Sequence, residues 1–166
     1  KSLAEEVVED IAFAYRIKNS GYKLYYLLGL NAIELRMYQD FSSLWEGWSK
    51  NWFIGLDRSI SKALGASFSV FAMFSIPWLI IPINCIILVF TTSNIWLLMT
   101  SIFFGLLGIY LQFLLRRWVN RTMSFPIKYW WLMGVGGIIL GLIGPNSIWK
   151  TTTGQGWTWK GRHLGY

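Results

Sequence analysis

The sequence predicts an α+β fragment followed by an α-helical membrane domain of about three hydrophobic segments. Three observations carry that reading. Of 166 residues, 54% are hydrophobic and only 14% charged, too apolar for an ordinary soluble domain of this size. No charge occurs in the 53 residues from Ala63 to Leu115 or in the 21 from Tyr129 to Trp149. A spanning helix needs about 20 apolar residues, so these runs fit two spans with a turn and then a third. Ahead of them, a helical pattern is followed by two short alternating segments, the closing part of a larger α/β or α+β domain.

Charge divides the chain. All eight acidic residues lie at or before Asp57, while the part after Lys62 holds seven Lys/Arg and no acid, and so carries the whole net charge of +7. These cations flank apolar runs, which suits lipid headgroups and the positive-inside bias rather than nucleic acid. The single cysteine, Cys85, excludes a disulfide framework and a cysteine-based metal site. The first residue is Lys1, and the chain is expected to begin inside a longer protein.

Taken in order, residues 4 to about 19 read as an amphipathic helix with Val7, Val8, Ile11 and Tyr15 on one stripe. Asn19-Ser20-Gly21 stops it, with Gly21 suited to a left-handed C-terminal position. Tyr22–Leu28, rich in aromatics, and Ala32–Tyr38, with period-two alternation, read as strands. About 60 such residues bury little core alone. From Asp40 to about Leu56 a Trp-rich helix follows, with Ser43-x-x-Glu46 as its capping box. Its stripe of Phe41, Leu44, Trp45, Trp48, Trp52 and Phe53 either lies in the membrane interface or packs into a soluble core; pattern alone leaves both open.

The domain boundaries follow: a first domain over 1–62, a membrane domain over 63–149, and a polar Gly/Trp-rich tail over 150–166. Spans are placed at about 67–90, 95–115 and 129–148. The first holds Pro77 and Pro82, five residues apart, which must kink it. The third holds Gly134-x-Gly136-Gly137 and Gly141-x-x-Gly144, small residues that permit close helix contact. Positive-inside counting puts residues 1–62 and the 116–128 loop in the cytoplasm. Three full spans then place the tail outside, yet Lys150, Lys160 and Arg162 argue for inside. A re-entrant third segment would resolve the conflict.

The pair Glu9-Asp10 is by itself a weak signal, because acids near a helix N-terminus are favoured by roughly 0.3–1 kcal/mol. Order and spacing change its weight. The run "VVEDIAFAYRIKNSGYKLYYL … RMYQDFSSLWEGWSKN" resembles the second half of the catalytic domain of family 2 glycosyltransferases. It is most similar to the membrane-bound subgroup that glycosylates carotenoid, hopanoid or ceramide-type lipids. The resemblance implies the end of a GT-A-like catalytic domain, with Asp10 as general base toward an acceptor hydroxyl and Glu9 holding it in place or capping the helix. It implies that Glu46 to Asn51, Glu-Gly-Trp-Ser-Lys-Asn, stands for the family's Gln-x-x-Arg-Trp box. Leu44 and Gly47 depart from that box; Trp48 matches its Trp, and the cationic role passes to Lys50. Trp45 and Glu46 then belong to the acceptor and donor side. The ending Trp159-Lys160-Gly161-Arg162 is a further matching motif of unknown role.

What the resemblance implies beyond this chain is a nucleotide-sugar donor, a membrane-lipid acceptor in a bacterial cell membrane, and an N-terminal half that binds the donor. A divalent metal (Mg or Mn) is expected in the full-length enzyme through an Asp-x-Asp motif absent here, with none bound by this chain. The isolated chain is accordingly expected to be inactive. Burial in the apolar run would raise the pKa of Asp10 toward that of a useful base. Trp48 and Lys50 lie about 200° apart around a helix, so they contact different groups unless Gly47 breaks it. The second reading is a non-catalytic three-helix membrane anchor or assembly module whose carboxylates only start a helix.

Overall fold

A computed structural model describes residues 9–25, 27, 29–30, 32, 35–90, 94–155, 157–159 and 162–164, with backbone only at Glu9 and in the last two segments. The helices are α1 (Glu9–Asn19), α2 (Phe41–Gly55), α3 (Ile60–Phe74), α4 (Ile76–Phe90), α5 (Ile95–Met123) and α6 (Met133–Thr152). A short 3-10 helix, Ile127–Leu132, precedes α6, and two three-residue strands, β1 (Trp157–Trp159) and β2 (Arg162–Leu164), follow it. The chain forms two compact units, one of residues 1–64 with 143–166 and the other of residues 65–142.

The α+β expectation for the first 62 residues is overturned. Among the described residues between Tyr22 and Tyr38 there is no strand, only turn and irregular chain, and the only sheet is the antiparallel β1–β2 hairpin of the tail. Alternation was present, but Leu35 and Met37 are exposed rather than turned to a core. Two short strands are marginal without a third strand or a covering helix. The fold is instead a helical one with two to three apolar helices.

In the first unit, α1 stops where Gly21 predicted. Gly21 has φ +80°, its N–H reaches the Lys18 carbonyl at 3.0 Å and the Tyr22 N–H reaches Ile17 at 3.2 Å. That pair of bonds is a Schellman motif, which uses up two carbonyls the helix end would leave free. The start of α1 before Glu9, with Val7 and Val8, lies outside the described residues. Helix α2 starts on Asp40, whose Oδ1 accepts the Ser43 N–H at 2.7 Å while the Ser43 hydroxyl sits 3.4 Å from the Asp40 N–H. The capping box is therefore Asp40–Ser43, three residues before the expected Ser43–Glu46. The Asp40 carboxyl is held below its usual pKa of 3.8, chiefly by the Ser43 backbone N–H and then by its hydroxyl.

The second unit explains the first span. Pro77 has no N–H to offer the Met73 carbonyl, and the Trp78 N–H bonds Ser75 at 3.1 Å instead of Phe74. Two carbonyls are thus released, and α3 and α4 are bent by 56° at Ser75. Gln112 of α5 satisfies both, its Nε2 donating to Met73 at 2.9 Å and to Phe74 at 3.1 Å. Its Oε1 accepts the Trp78 indole N–H at 2.8 Å. Asn84, also buried, donates to the Ser101 hydroxyl at 2.8 Å.

Glycines set the helix spacing there. A Cβ on Gly105 would lie 2.6 Å from Ile80, and one on Gly137 2.7 Å from the Phe74 Cβ. These approaches are the expected use of small residues at helix interfaces in lipid. Among the described residues two helices, Ile95–Met123 and Ile127–Thr152, are long and apolar enough to cross a membrane, or three counting the bent α3–α4 pair as one span. The chain is compatible with an integral membrane protein on this ground.

Candidate functional site

The first unit contains all three sequence-predicted motifs, brought there by α1, α2 and the tail. Glu9 opens α1. Asp10 follows it and is exposed, its Oδ1 accepting the Ile11 N–H at 2.9 Å. The apolar burial expected around Asp10 is not present: Ile11, Phe13 and Tyr15 are themselves exposed. One residue beyond Asp10 begins the wall of an open cleft of about 390 Å³. Ile11, Ala12, Tyr15 and Arg16 form its α1 side, and Ile54, Gly55 and Asp57 its other.

Helix α2 carries the Glu46–Asn51 motif and runs unbroken through Gly47. That glycine is needed for a different reason: a Cβ there would lie 2.6 Å from the Tyr38 ring, so Tyr38 seats on the helix where a larger residue would expel it. Continuity keeps Trp48 and Lys50 on different faces. Trp48 is 41% exposed, Lys50 only 8%. Trp45 and Glu46 are half-buried. Two ring pairs run along the helix, Phe41–Trp45 at 5.9 Å between centroids and Trp48–Trp52 at 6.2 Å. Each joins residues four apart, the spacing at which helix side chains meet.

Beside Lys50 a polar cluster joins α2 to α6. Ser49 and Ser147 are fully buried. The Ser147 hydroxyl donates to the Ser49 carbonyl and accepts the Phe53 N–H at 3.0 Å. It thereby stands between the acceptor and donor of one i to i+4 step of α2, the kind of side-chain insertion that fixes one helix against another. Asn146 adds a bond from its Nδ2 to the Ser49 hydroxyl at 2.9 Å. The Trp52 indole donates to the Ala63 carbonyl at 3.3 Å, tying α2 to the start of α3. This Ser49–Asn146–Ser147 cluster escaped the sequence reading. Its signal was the polar pair Asn146-Ser147 inside an otherwise apolar segment.

Strand β1 packs beside α2. Across the hairpin Trp157 pairs with Leu164 and Trp159 with Arg162. Trp159 and Arg162 thus face each other at the closing end, and Lys160 lies outside the described residues. The divalent metal implied by the resemblance finds no ligand set here: among the described residues no group of three or more His, Cys, Asp or Glu could hold an ion.

Comparison with known proteins adds no relative. No protein-family model matches the chain, and neither a curated protein nor a solved structure does.

Proposed function

We propose that the chain is the acceptor-side and membrane part of an inverting glycosyltransferase that moves a sugar from a nucleotide-sugar donor to a membrane lipid. The observation that supports this reading is the gathering of Glu9-Asp10, Glu46–Asn51 and the Trp159/Arg162 hairpin in one unit. These segments are up to about 150 residues apart in the chain. In the proposed reaction an acceptor hydroxyl oxygen bonds the anomeric carbon. The bond from that carbon to the donor diphosphate breaks, and Asp10 takes the hydroxyl proton. Lys50 is the cation assigned to the departing diphosphate, where stabilisation matters most as charge develops. Being 8% exposed, it acts there only once its stem swings out of the α2 packing. Trp48, on the exposed face of α2, offers an apolar surface to the lipid. Its ring pair with Trp52 suits it to the headgroup boundary, where amphipathic aromatics collect. In this reading the rest of the protein binds the donor, and positive-inside counting favours a cytoplasmic side for residues 1–62.

The exposure of Asp10 and its short-range bond to Ile11 favour a second reading, in which the carboxylates only start α1 and the chain is a membrane anchor. One experiment separates the two. In the complete protein, Asp10→Asn keeps the size and helix-starting oxygen but removes the base. The glycosyltransferase reading expects turnover to fall about 10²-fold or more, the usual scale for losing a general base, with folding and membrane content unchanged. Undiminished sugar transfer by a folded Asp10→Asn protein rejects Asp10 as the base and favours the anchor.

A further inference from the structure

We propose that the chain crosses the bilayer only twice, through α4 and α5, and that α3 and α6 lie together in the headgroup boundary of one leaflet. The α3–α6 pair is then an interaction surface whose partner is that leaflet. The inference does not depend on glycosyl transfer.

The first argument comes from the unit of residues 1–64 and 143–166. Its α2 carries Glu46 and Lys50, and it is bonded through Ser49 and Phe53 to Asn146 and Ser147 near the end of α6. The hairpin with Arg162 packs beside the same helix. Segments before the hydrophobic region and after it therefore share one side of the membrane. The chain between them crosses an even number of times, and three full crossings do not allow this.

The second argument comes from the unit of residues 65–142 and identifies the two that cross. Helices α4 and α5 run antiparallel: Asn84 meets Ser101, Ile80 meets Gly105, and Pro77 meets Gly108. From Ile95 to Leu115, α5 rises about 31 Å, close to the roughly 30 Å of hydrocarbon. It then reaches Arg116, Arg117 and Arg121, which mark the headgroups. Gln112 binds the α3–α4 break and lies one turn before Arg116, about 6 Å along the helix. The break is therefore just beneath the surface on the cationic side. Little hydrocarbon remains for the 15 residues of α3, and the 56° bend turns them away from the line of α4.

Helix α6 begins at this same level, with the Ser75 hydroxyl donating to the Gly134 carbonyl at 2.7 Å. It then runs back along α3, Gly137 against Phe74 and Gly141 against Phe71. Its course is away from the Asn94 turn, not toward it. Length and composition alone would let α6 span; its packing directs it elsewhere. Exposed Phe68 and Met73 on α3, and Val135 and Leu142 on α6, give the pair apolar surface to bury in lipid, while Lys128 and Lys150 suit the anionic headgroups of a cytoplasmic leaflet.

Single cysteines in a Cys85→Ser background of the full chain test this. Asn94→Cys, Ser124→Cys and Thr153→Cys are treated with a membrane-impermeant maleimide in sealed vesicles of each orientation. Asn94→Cys should label from one face only, and Ser124→Cys and Thr153→Cys from the other only. Labelling of Thr153→Cys from the same face as Asn94→Cys overturns the proposal, as does labelling of all three from one face. A nitroxide at position 138 gives an independent reading of depth. Relaxation by polar quenchers at headgroup level is expected there. An environment at the bilayer centre, where a spanning α6 would put it, overturns the proposal.

Discussion

In the unit of residues 65–142, helices meet on glycines and are joined by the side-chain amides of Gln112 and Asn84; in the unit of residues 1–64 and 143–166, they meet on serines. The first arrangement answers a problem of lipid, that apolar attraction between helices is weak where the surroundings are also apolar. In the first case the amides answer carbonyls released by Pro77, so the polar groups follow from a break in the backbone. In the second, Ser147 inserts into an intact helix, α2, and the polar groups serve to hold one element against another. The comparison teaches where change should be tolerated. The glycine contacts have no slack, because backbone or Cβ atoms fill the space. The serine contacts are hydrogen bonds rather than close backbone approaches, through Ser147 to the Ser49 carbonyl and the Phe53 N–H.

The largest expected effect is at Gly137. A Cβ there meets the Phe74 Cβ at 2.7 Å and the Ser75 backbone nitrogen at 3.2 Å, and no rotamer change relieves it. Gly137→Ala should destabilise by about 3 kcal/mol, the upper end for overpacking, in reversible unfolding in mixed micelles. Gly136→Ala is the neighbouring control. Nothing lies within 4 Å of a Cβ there, so helix propensity alone acts and stability should rise by up to about 1 kcal/mol. Equal effects at the two positions would break the comparison.

Gln112→Leu should come next. It removes partners from Met73, Phe74 and the Trp78 indole. Interhelical hydrogen bonds in membranes average about 0.6 kcal/mol each, so a loss of about 2 kcal/mol is expected in the same assay. A neutral substitution would mean that the carbonyls at the α3–α4 break find other donors.

The smallest effect sharpens the contrast from the other unit. Asp40 has a depressed folded pKa against a usual value of 3.8. A depressed carboxylate contributes stability that is complete above its unfolded pKa and is lost as pH falls through the folded one. A slight loss of α2 stability is thus expected as pH falls below about 4. Asp40→Asn, which keeps an N-capping oxygen, should remove that pH dependence. An unchanged acid profile in Asp40→Asn would assign the loss to another group.

The apolar helices were legible because lipid imposes a plain rule on composition. Among the described residues, the two helices long and apolar enough to cross a membrane, α5 and the stretch ending in α6, fall in the charge-poor parts of the sequence. Pro77 foretold the bend, although the break falls at Ser75, just after the released carbonyls of Met73 and Phe74. Local signals also served: Gly21 ended α1, and the Trp-rich stripe became α2. Period-two alternation at Ala32–Tyr38 misled, since alternation makes a strand only where a partner strand exists. The Asp40–Ser43 box was misplaced by three residues because Ser43 can act as cap or as third residue. Of the candidate site, the motifs were visible, but the burial of Lys50 was not. Nor were the bonds that tie Ser49 and Phe53 to Asn146 and Ser147, which join residues nearly 100 apart.

Helix α2 and the end of α6 close into one unit, and cross-linking between the two helices reads that closure out. The Asn146 Nδ2 lies 2.9 Å from the Ser49 hydroxyl, so the two side chains are in direct contact and cysteines at these positions come within the span of a short cross-linker. In the full chain, in membranes and with Cys85→Ser, the Ser49→Cys/Asn146→Cys pair should form an intramolecular disulfide under mild oxidation, or be joined by a short bis-maleimide. Either product is identified by mass spectrometry of the linked peptides. Neither single variant should give it. Both cysteines remaining separately alkylatable after either reagent, or linking only between molecules, would contradict the account.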